Sequence, residues 1–157
     1  MGNLEAEGGY EPRRVQYGGT NCRGEISVRN TPSSLCDTLR VDGNTGYGIA
    51  QWTARTRQQG LLDFAASKNK IPGDLLLQLD FLWQEMTTTF NSSVLTPLKA
   101  TSDLRTATDI VLKKFECPRA CVRLAENPTP ANQQDYQDVL DVRFGNATRV
   151  MTDYGSN

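Results

Sequence analysis

Apolar residues recur at helical spacing over most of the chain beyond position 53, and at no regular spacing before it. Leu61, Leu62, Phe64 and Ala65 fall on one side of a helix that Thr53 can cap and that runs to about Lys68. Pro72 and Asp74 open a second helix through about Met86, with Leu75, Leu76, Leu79, Leu82, Trp83 and Met86 as its apolar face. A short helix spans Ser93–Lys99, interrupted by Pro97. Ser102 then caps Leu104–Phe115, where Leu104, Ala107, Val111 and Phe115 share a face. Thr129-Pro130 reads as a cap followed by proline at the first helical position. The helix it starts continues to about Arg143 or Tyr154, with Gly145 as a candidate break.

The first third has a different texture. Residues 1–8 suit a short helix that Gly8-Gly9 and Pro12 end. From Pro12 to about Asp42 the chain is rich in Gly, Arg, Asn, Thr and Ser, with room for a β-hairpin around Glu25–Arg29. So long a stretch without periodicity is unusual in a compact domain unless it is functional or internally tied. The expected architecture is mainly α, as one domain over 1–157, with a small irregular or β-hairpin lobe in the N-terminal third.

Composition narrows the chemistry. A length of 157 residues with 38% apolar and 22% charged positions is that of one ordinary globular domain. A net charge of −1 leaves no electrostatic footprint for nucleic acid. The apolar run near Leu75–Leu79 is far too short to insert across a membrane, and Gly2-Asn3-Leu4-Glu5 lacks the basic start and apolar core of a signal peptide. The chain has no histidine, which removes Ser-His-Asp and Cys-His triads and imidazole zinc sites. Among enzymes this favours carboxylate chemistry, with no cofactor and no metal expected.

Cys22, Cys36, Cys117 and Cys121 permit three disulfide pairings, of which Cys22–Cys36 with Cys117–Cys121 is the simplest. The first pair would close a loop of about fifteen residues and stabilise by roughly 3 kcal/mol. A zinc site of four thiolates competes with this reading, but usually wants close CxxC knuckles. Disulfides would imply an oxidising compartment.

Two segments carry candidate chemistry. Glu7 ends a short apolar run just before Gly8-Gly9, where its carboxylate can face a cleft while Leu4 packs inward. A general acid for a glycosidic bond must be protonated near neutral pH, which burial against apolar groups achieves by raising its pKa. Tyr10, Tyr47, Ile49 and Trp52 would supply that environment if the segments meet. In Gly46-Tyr47-Gly48-Ile49-Ala50-Gln51-Trp52, glycines allow close backbone approach to a ligand, Tyr47 and Trp52 can lie against sugar rings, and Gln51 can donate and accept at once. In isolation, Tyr47 and Trp52 read equally as core aromatics beside a turn.

The ordered pattern Gly2-Asn3-Leu4-x-x-Glu7-x-x-Tyr10-x-Pro12, then Gly46-Tyr47-Gly48-Ile49-Ala50-Gln51-Trp52-Thr53, closely resembles the lysozyme domain of bacteriophage tail-tip proteins. Leu79–Glu85 matches that family's Trp-and-Leu-rich helix, and Phe115-Glu116-Cys117-Pro118 its late aromatic-Glu-x-Pro element, so the resemblance covers positions 2 to about 126. It implies a lysozyme-like, mainly α (α+β) fold with a cleft. It also implies cleavage of peptidoglycan glycan strands by a tail protein of the virion, acting in the host periplasm or cell wall among other tail proteins. It places the acid on Glu7 rather than Glu5. It sets Gln51 in the place of the glutamine lining the cleft of goose-type lysozymes and lytic transglycosylases. Members usually carry a helix before the Gly-Asn element, so a missing N-terminal helix or a larger virion protein is expected. Residues 13–42 read as a loop or hairpin insertion, and the cysteine pair around Pro118 is outside the family pattern.

A second catalytic group depends on mechanism. An inverting hydrolase needs a base about 6.5–9.5 Å from the acid and a retaining one a nucleophile at about 5–5.5 Å, whereas a lytic transglycosylase needs no second carboxylate because a substrate hydroxyl attacks. Asp42 is the best-placed candidate, ahead of Glu25 and Asp37. Glu116 is a candidate polar member of the cleft, or a buried glutamate bonded to helix ends or to Arg119. Beside hydrolase and transglycosylase stand two other classes: a non-enzymatic glycan-binding or structural virion module of the same fold, and a small disulfide-stabilised inhibitor.

Overall fold

A computed structural model describes residues 11–16 and 36–155. The helix expected over residues 1–8 and the hairpin expected around Glu25–Arg29 lie outside the described residues. Among the described residues six α-helices follow in order: α1 (Arg55–Ser67), α2 (Leu75–Thr87), α3 (Thr96–Ala100), α4 (Leu104–Val111), α5 (Arg119–Glu126) and α6 (Pro130–Tyr154). Among the described residues, β structure includes the antiparallel bridge between Val15 and Tyr47. The fold is mainly α and lysozyme-like. The chain divides into two compact units, with the boundary between Gln84 and Glu85.

In the first unit, α1 buries Gln58, Leu61 and Ala65, one stripe of the helix. Its N-cap is Ala54, which supplies no side-chain bond, rather than Thr53. The Thr53 hydroxyl instead donates to the carbonyl of Gln51, at 2.9 Å. α2 begins as expected, with Asp74 Oδ1 accepting the Leu77 N–H at 2.8 Å. Phe81 on α2 meets Trp52 and Phe64, with ring centroids 5.5 and 5.6 Å apart. Each such aromatic pair is worth about 0.5–1.5 kcal/mol beyond its buried area.

The apolar face of α2 is not the one turned inward. Leu77, Gln78, Phe81 and Glu85 are buried, whereas Leu75, Leu76, Leu79 and Trp83 are exposed. The reason is Gln78, whose amide bonds to three backbone groups in the interior. Rotating α2 to cover Leu76 and Leu79 would carry that amide outward and leave the three groups without partners, a cost of about 1–3 kcal/mol each.

In the second unit a π-helical turn over Asn91–Leu95 leads into α3, and another over Leu112–Glu116 continues α4. Pro97 does not interrupt its helix. It sits in the first turn of α3, where a missing N–H costs nothing. α4 is capped by Asp103 rather than Ser102, with Oδ1 accepting the Thr106 N–H at 2.7 Å. α5 was not anticipated from the periodicity. It is eight residues long and buries only Ala120 and Cys121. Thr129 caps α6 as expected, its Oγ1 accepting the Asn132 N–H at 3.2 Å. α6 then runs unbroken past Gly145, where a β-carbon would meet no other atom within 4 Å. An exposed glycine there costs about 1 kcal/mol relative to alanine, too little to break a packed helix.

The core of the second unit gathers Leu112, Cys121, Tyr136 and Leu140, with Cys117, Leu124 and Val139 packed against them. A disulfide joins Cys117 to Cys121 across the turn before α5. Cys36, in the first unit, is also disulfide-bonded. Disulfide bonding at these three cysteines removes the four-thiolate zinc reading. Tyr136 donates its hydroxyl to Asp109 Oδ1 at 2.5 Å. Burial first, and then that bond, push the phenol well above its ordinary range.

Candidate functional site

The glycine-aromatic strip of the first unit is a tight turn folded against the segment 11–16. Gln16 N–H donates to the Gly46 carbonyl and Gly48 N–H to the Arg14 carbonyl, both at 2.8 Å. Within the strip, Trp52 N–H donates to the Tyr47 carbonyl at 2.9 Å. The neck of the 13–42 excursion is closed by Cys36 N–H donating to the Arg13 carbonyl at 3.0 Å. Arg13 also pairs with Glu11 and reaches Asp37.

Two buried glutamines hold this turn in place. Gln58, on α1, accepts the N–H groups of Asp42 and Gly43 at 3.0 and 2.9 Å. Its amide donates to the carbonyls of Thr45 and Trp52, at 2.7 and 3.1 Å. Gln78, on α2, accepts the Ile49 N–H at 3.0 Å and donates to the carbonyls of Pro12 and Pro72, each at 2.6 Å. Both side chains are fully buried. Each satisfies backbone groups that a turn packed in the interior leaves without partners. A polar residue inside an otherwise apolar helix stripe was the signal in the sequence, and the reading from periodicity passed over both.

The glycines answer to these side chains. Gly48 has φ +75°, and a β-carbon there would lie 2.5 Å from Gln78 Oε1. A β-carbon at Gly46 would lie 2.6 Å from Gln51 Oε1. Close approach is thus required, as expected of these positions, and the approaching groups are the protein's own amides.

Tyr47 and Trp52 are fully buried, so neither ring presents a face to solvent. The Tyr47 hydroxyl donates to the Cys36 carbonyl at 2.7 Å, and burial foremost, with the charge of Asp37 second, raises its pKa well above the ordinary value. In this arrangement both aromatics act through packing. Gln51 is half-buried and sits in the left-handed region with φ +46°, sparsely populated by non-glycine residues. Its amide donates to the Gly48 carbonyl at 2.8 Å. Strain of this kind, held by surrounding bonds, concentrates at functional positions.

Asp42 stands at the entrance to the strip. Its Oδ1 accepts the N–H groups of Asn44 and Thr45 at 2.8 and 3.0 Å and the Gln58 amide at 3.4 Å. Burial pushes the carboxyl upward, but the combined hydrogen bonds from Asn44, Thr45 and Gln58 outweigh it and hold the pKa below the ordinary 3.8. Asp42 is therefore an anion at neutral pH. Because its folded pKa is depressed, its stabilising bonds are fully present above the ordinary value and are lost as pH falls through the folded one. Asp42→Asn retains the acceptor and loses the charge. With solvent screening, about 0.5–1 kcal/mol is expected to be lost at pH 7. Urea midpoints of the two proteins should converge as pH drops below about 4, and a gap that persists in acid would assign the effect to geometry instead.

Glu116 belongs to the second unit. Its Oε2 accepts from Arg143 Nε at 3.2 Å, with the two side chains 3% and 9% exposed. The partner is on α6 rather than at Arg119. Glu7 and Tyr10 lie outside the described residues. Of the anticipated site residues, the first unit therefore brings Asp42, Tyr47, Gln51 and Trp52 into one turn.

A family model described as phage tail lysozyme matches residues 1–138. The chain belongs to the phage tail lysozyme family. No curated protein and no solved structure matched it. The family match takes in both the Gly2–Pro12 element and the turn just described, and extends past position 126, about where the resemblance ends, into α6. No helix among the described residues is long and apolar enough to cross a membrane. Among the same residues, no group of three or more His, Cys, Asp or Glu is arranged to hold a metal ion.

Proposed function

We propose that this member of the phage tail lysozyme family is a peptidoglycan glycosidase carried on the virion tail among other tail proteins, acting in the host periplasm or cell wall to open the wall. The bond cut is the β-1,4 link between N-acetylmuramic acid and N-acetylglucosamine. Glu7 protonates the leaving oxygen as general acid. Asp42 stabilises positive charge developing on the sugar or activates water, and Gln51 aligns an acetamido or hydroxyl group of the strand. Tyr10 contributes a further polar contact, while Tyr47 and Trp52 hold the turn from behind; Glu116, buried against Arg143 in the second unit, is left a structural role. The family match over residues 1–138 carries this reading, because it spans the Glu7 element and the Gly46–Thr53 turn together.

One observation favours a lytic transglycosylase with the same acid. The hydrogen bonds that Asp42 Oδ1 accepts from the Asn44 and Thr45 N–H groups and the Gln58 amide organise its own loop. A carboxylate with that task is a poor choice of mobile base, and a transglycosylase needs none. Mass spectrometry of the muropeptides released from purified sacculi separates the mechanisms. Reducing N-acetylmuramic ends identify hydrolysis, anhydro ends identify transglycosylation, and binding without released products would overturn the enzymatic reading.

A further inference from the structure

Arg13 and Arg14 are neighbours with opposite situations. Arg13 pairs with Glu11 and reaches Asp37. Arg14 is half-buried, its Nε is closed off from solvent, and that N–H finds no acceptor among the described residues. A buried, charged donor without a partner costs more than a neutral one, and such groups persist where a ligand completes them.

Its position is tightly set. The Arg14 carbonyl accepts the Gly48 N–H at 2.8 Å and is reached by the Gln51 amide at 3.5 Å. Val15 packs into the core and bridges to Tyr47, so alternation along this extended segment sets Arg14 on the opposite side. An arginine whose Nε has no acceptor among the described residues thus stands next to the strained residue Gln51, at the turn where the glycan is proposed to bind. The Nε edge of a guanidinium presents two parallel N–H groups, Nε and one Nη, matched to the two oxygens of a carboxylate.

We propose that Arg14 is a receptor for a carboxylate borne by the glycan strand, which it grips through its Nε edge to set the register of the strand. The inference rests on the peptidoglycan reading above. Peptidoglycan offers two sources of this group: the lactyl carboxylate of peptide-free muramic acid, and the carboxylates of the stem peptide. An oligomer of N-acetylglucosamine carries neither.

The test uses the full chain, as wild type, Arg14→Gln and Arg14→Lys, each also in a Glu7→Gln background so that binding is read without cleavage. Probes are intact sacculi, peptide-free glycan strands, the same two materials with carboxylates amidated, and N-acetylglucosamine oligomers. Wild type is expected to bind the carboxylate-bearing strands about tenfold more tightly than the amidated ones. Arg14→Gln should erase that preference without altering affinity for the neutral oligomers. Arg14→Lys keeps the charge but not the fork and should recover only part of it. A preference on peptide-free strands identifies the lactyl group, and one confined to intact sacculi identifies the stem peptide. No preference in wild type, or one that survives in Arg14→Gln with an unchanged unfolding midpoint, overturns the proposal. If Arg14→Gln erases the preference while wild type releases no products, the carboxylate receptor stands and the glycosidase reading falls. Released products with a preference indifferent to Arg14 give the reverse.

Discussion

Glu7→Gln is expected to slow the release of soluble fragments from purified peptidoglycan by about three orders of magnitude, the scale of a lost general acid. The substitution preserves shape and hydrogen-bonding capacity while removing the transferable proton. The chain holds no histidine, so no imidazole can take over the transfer. The helical circular dichroism signal and the urea midpoint should match wild type, because an amide replaces the carboxyl without change of volume. Glu5 is the internal control. It lies two positions away, at the wrong distance from Asn3 and Pro12 for the family element, and Glu5→Gln should retain wild-type release. Activity surviving in Glu7→Gln would remove Glu7 from the mechanism.

Gln78→Leu is expected to destabilise the protein by about 4 kcal/mol, measured by urea unfolding. Three backbone groups lose their partner at once: the Ile49 N–H and the carbonyls of Pro12 and Pro72. Each such group costs about 1–3 kcal/mol when left buried, and leucine's apolar gain offsets part of the sum. The effect is a structural one with a functional consequence, since the amide ties the segment 11–16 and the Gly46–Thr53 turn to α2. Gly48→Ala probes the same contact from the other side. Alanine there adds a strained φ and a clash with the Gln78 amide. In a double-mutant cycle the cost of Gly48→Ala should fall when Gln78 is replaced by Ala, because the clash is gone and only the backbone strain remains. Additive costs would show that the two residues do not act on one another.

How legible the fold was depended on whether local chemistry or distant partners decided each feature. The helix starts at Leu75 and Pro130 were readable because Asp74 and Thr129 satisfy N–H groups only three residues away. The caps at Ala54 and Asp103 were displaced by one residue from Thr53 and Ser102: the Asp103 carboxylate reaches the Thr106 N–H, whereas the Thr53 hydroxyl turns back to the Gln51 carbonyl and leaves α1 without a side-chain cap. α5 escaped notice because eight residues hold too few repeats of the apolar period to register. In the site, Asp42 and Gln51 were found through their place beside the glycine strip. Gln58 and Gln78 were missed, since their partners lie 6 to 66 residues away and only folding brings them together.

The sequence by itself determined the family, the helical class and the exclusion of histidine-based chemistry. These follow from motif order, periodicity and the absence of histidine, all of which are local or compositional. Tertiary structure alone decided which face of α2 turns inward, what the glycines of the strip accommodate, and which arginine of the Arg13-Arg14 pair is left with a donor that has no acceptor among the described residues. Those outcomes turn on buried hydrogen-bonding groups. Such a group's free energy is set by whatever the folded chain places within 3 Å of it, and no pattern of neighbouring residues specifies that.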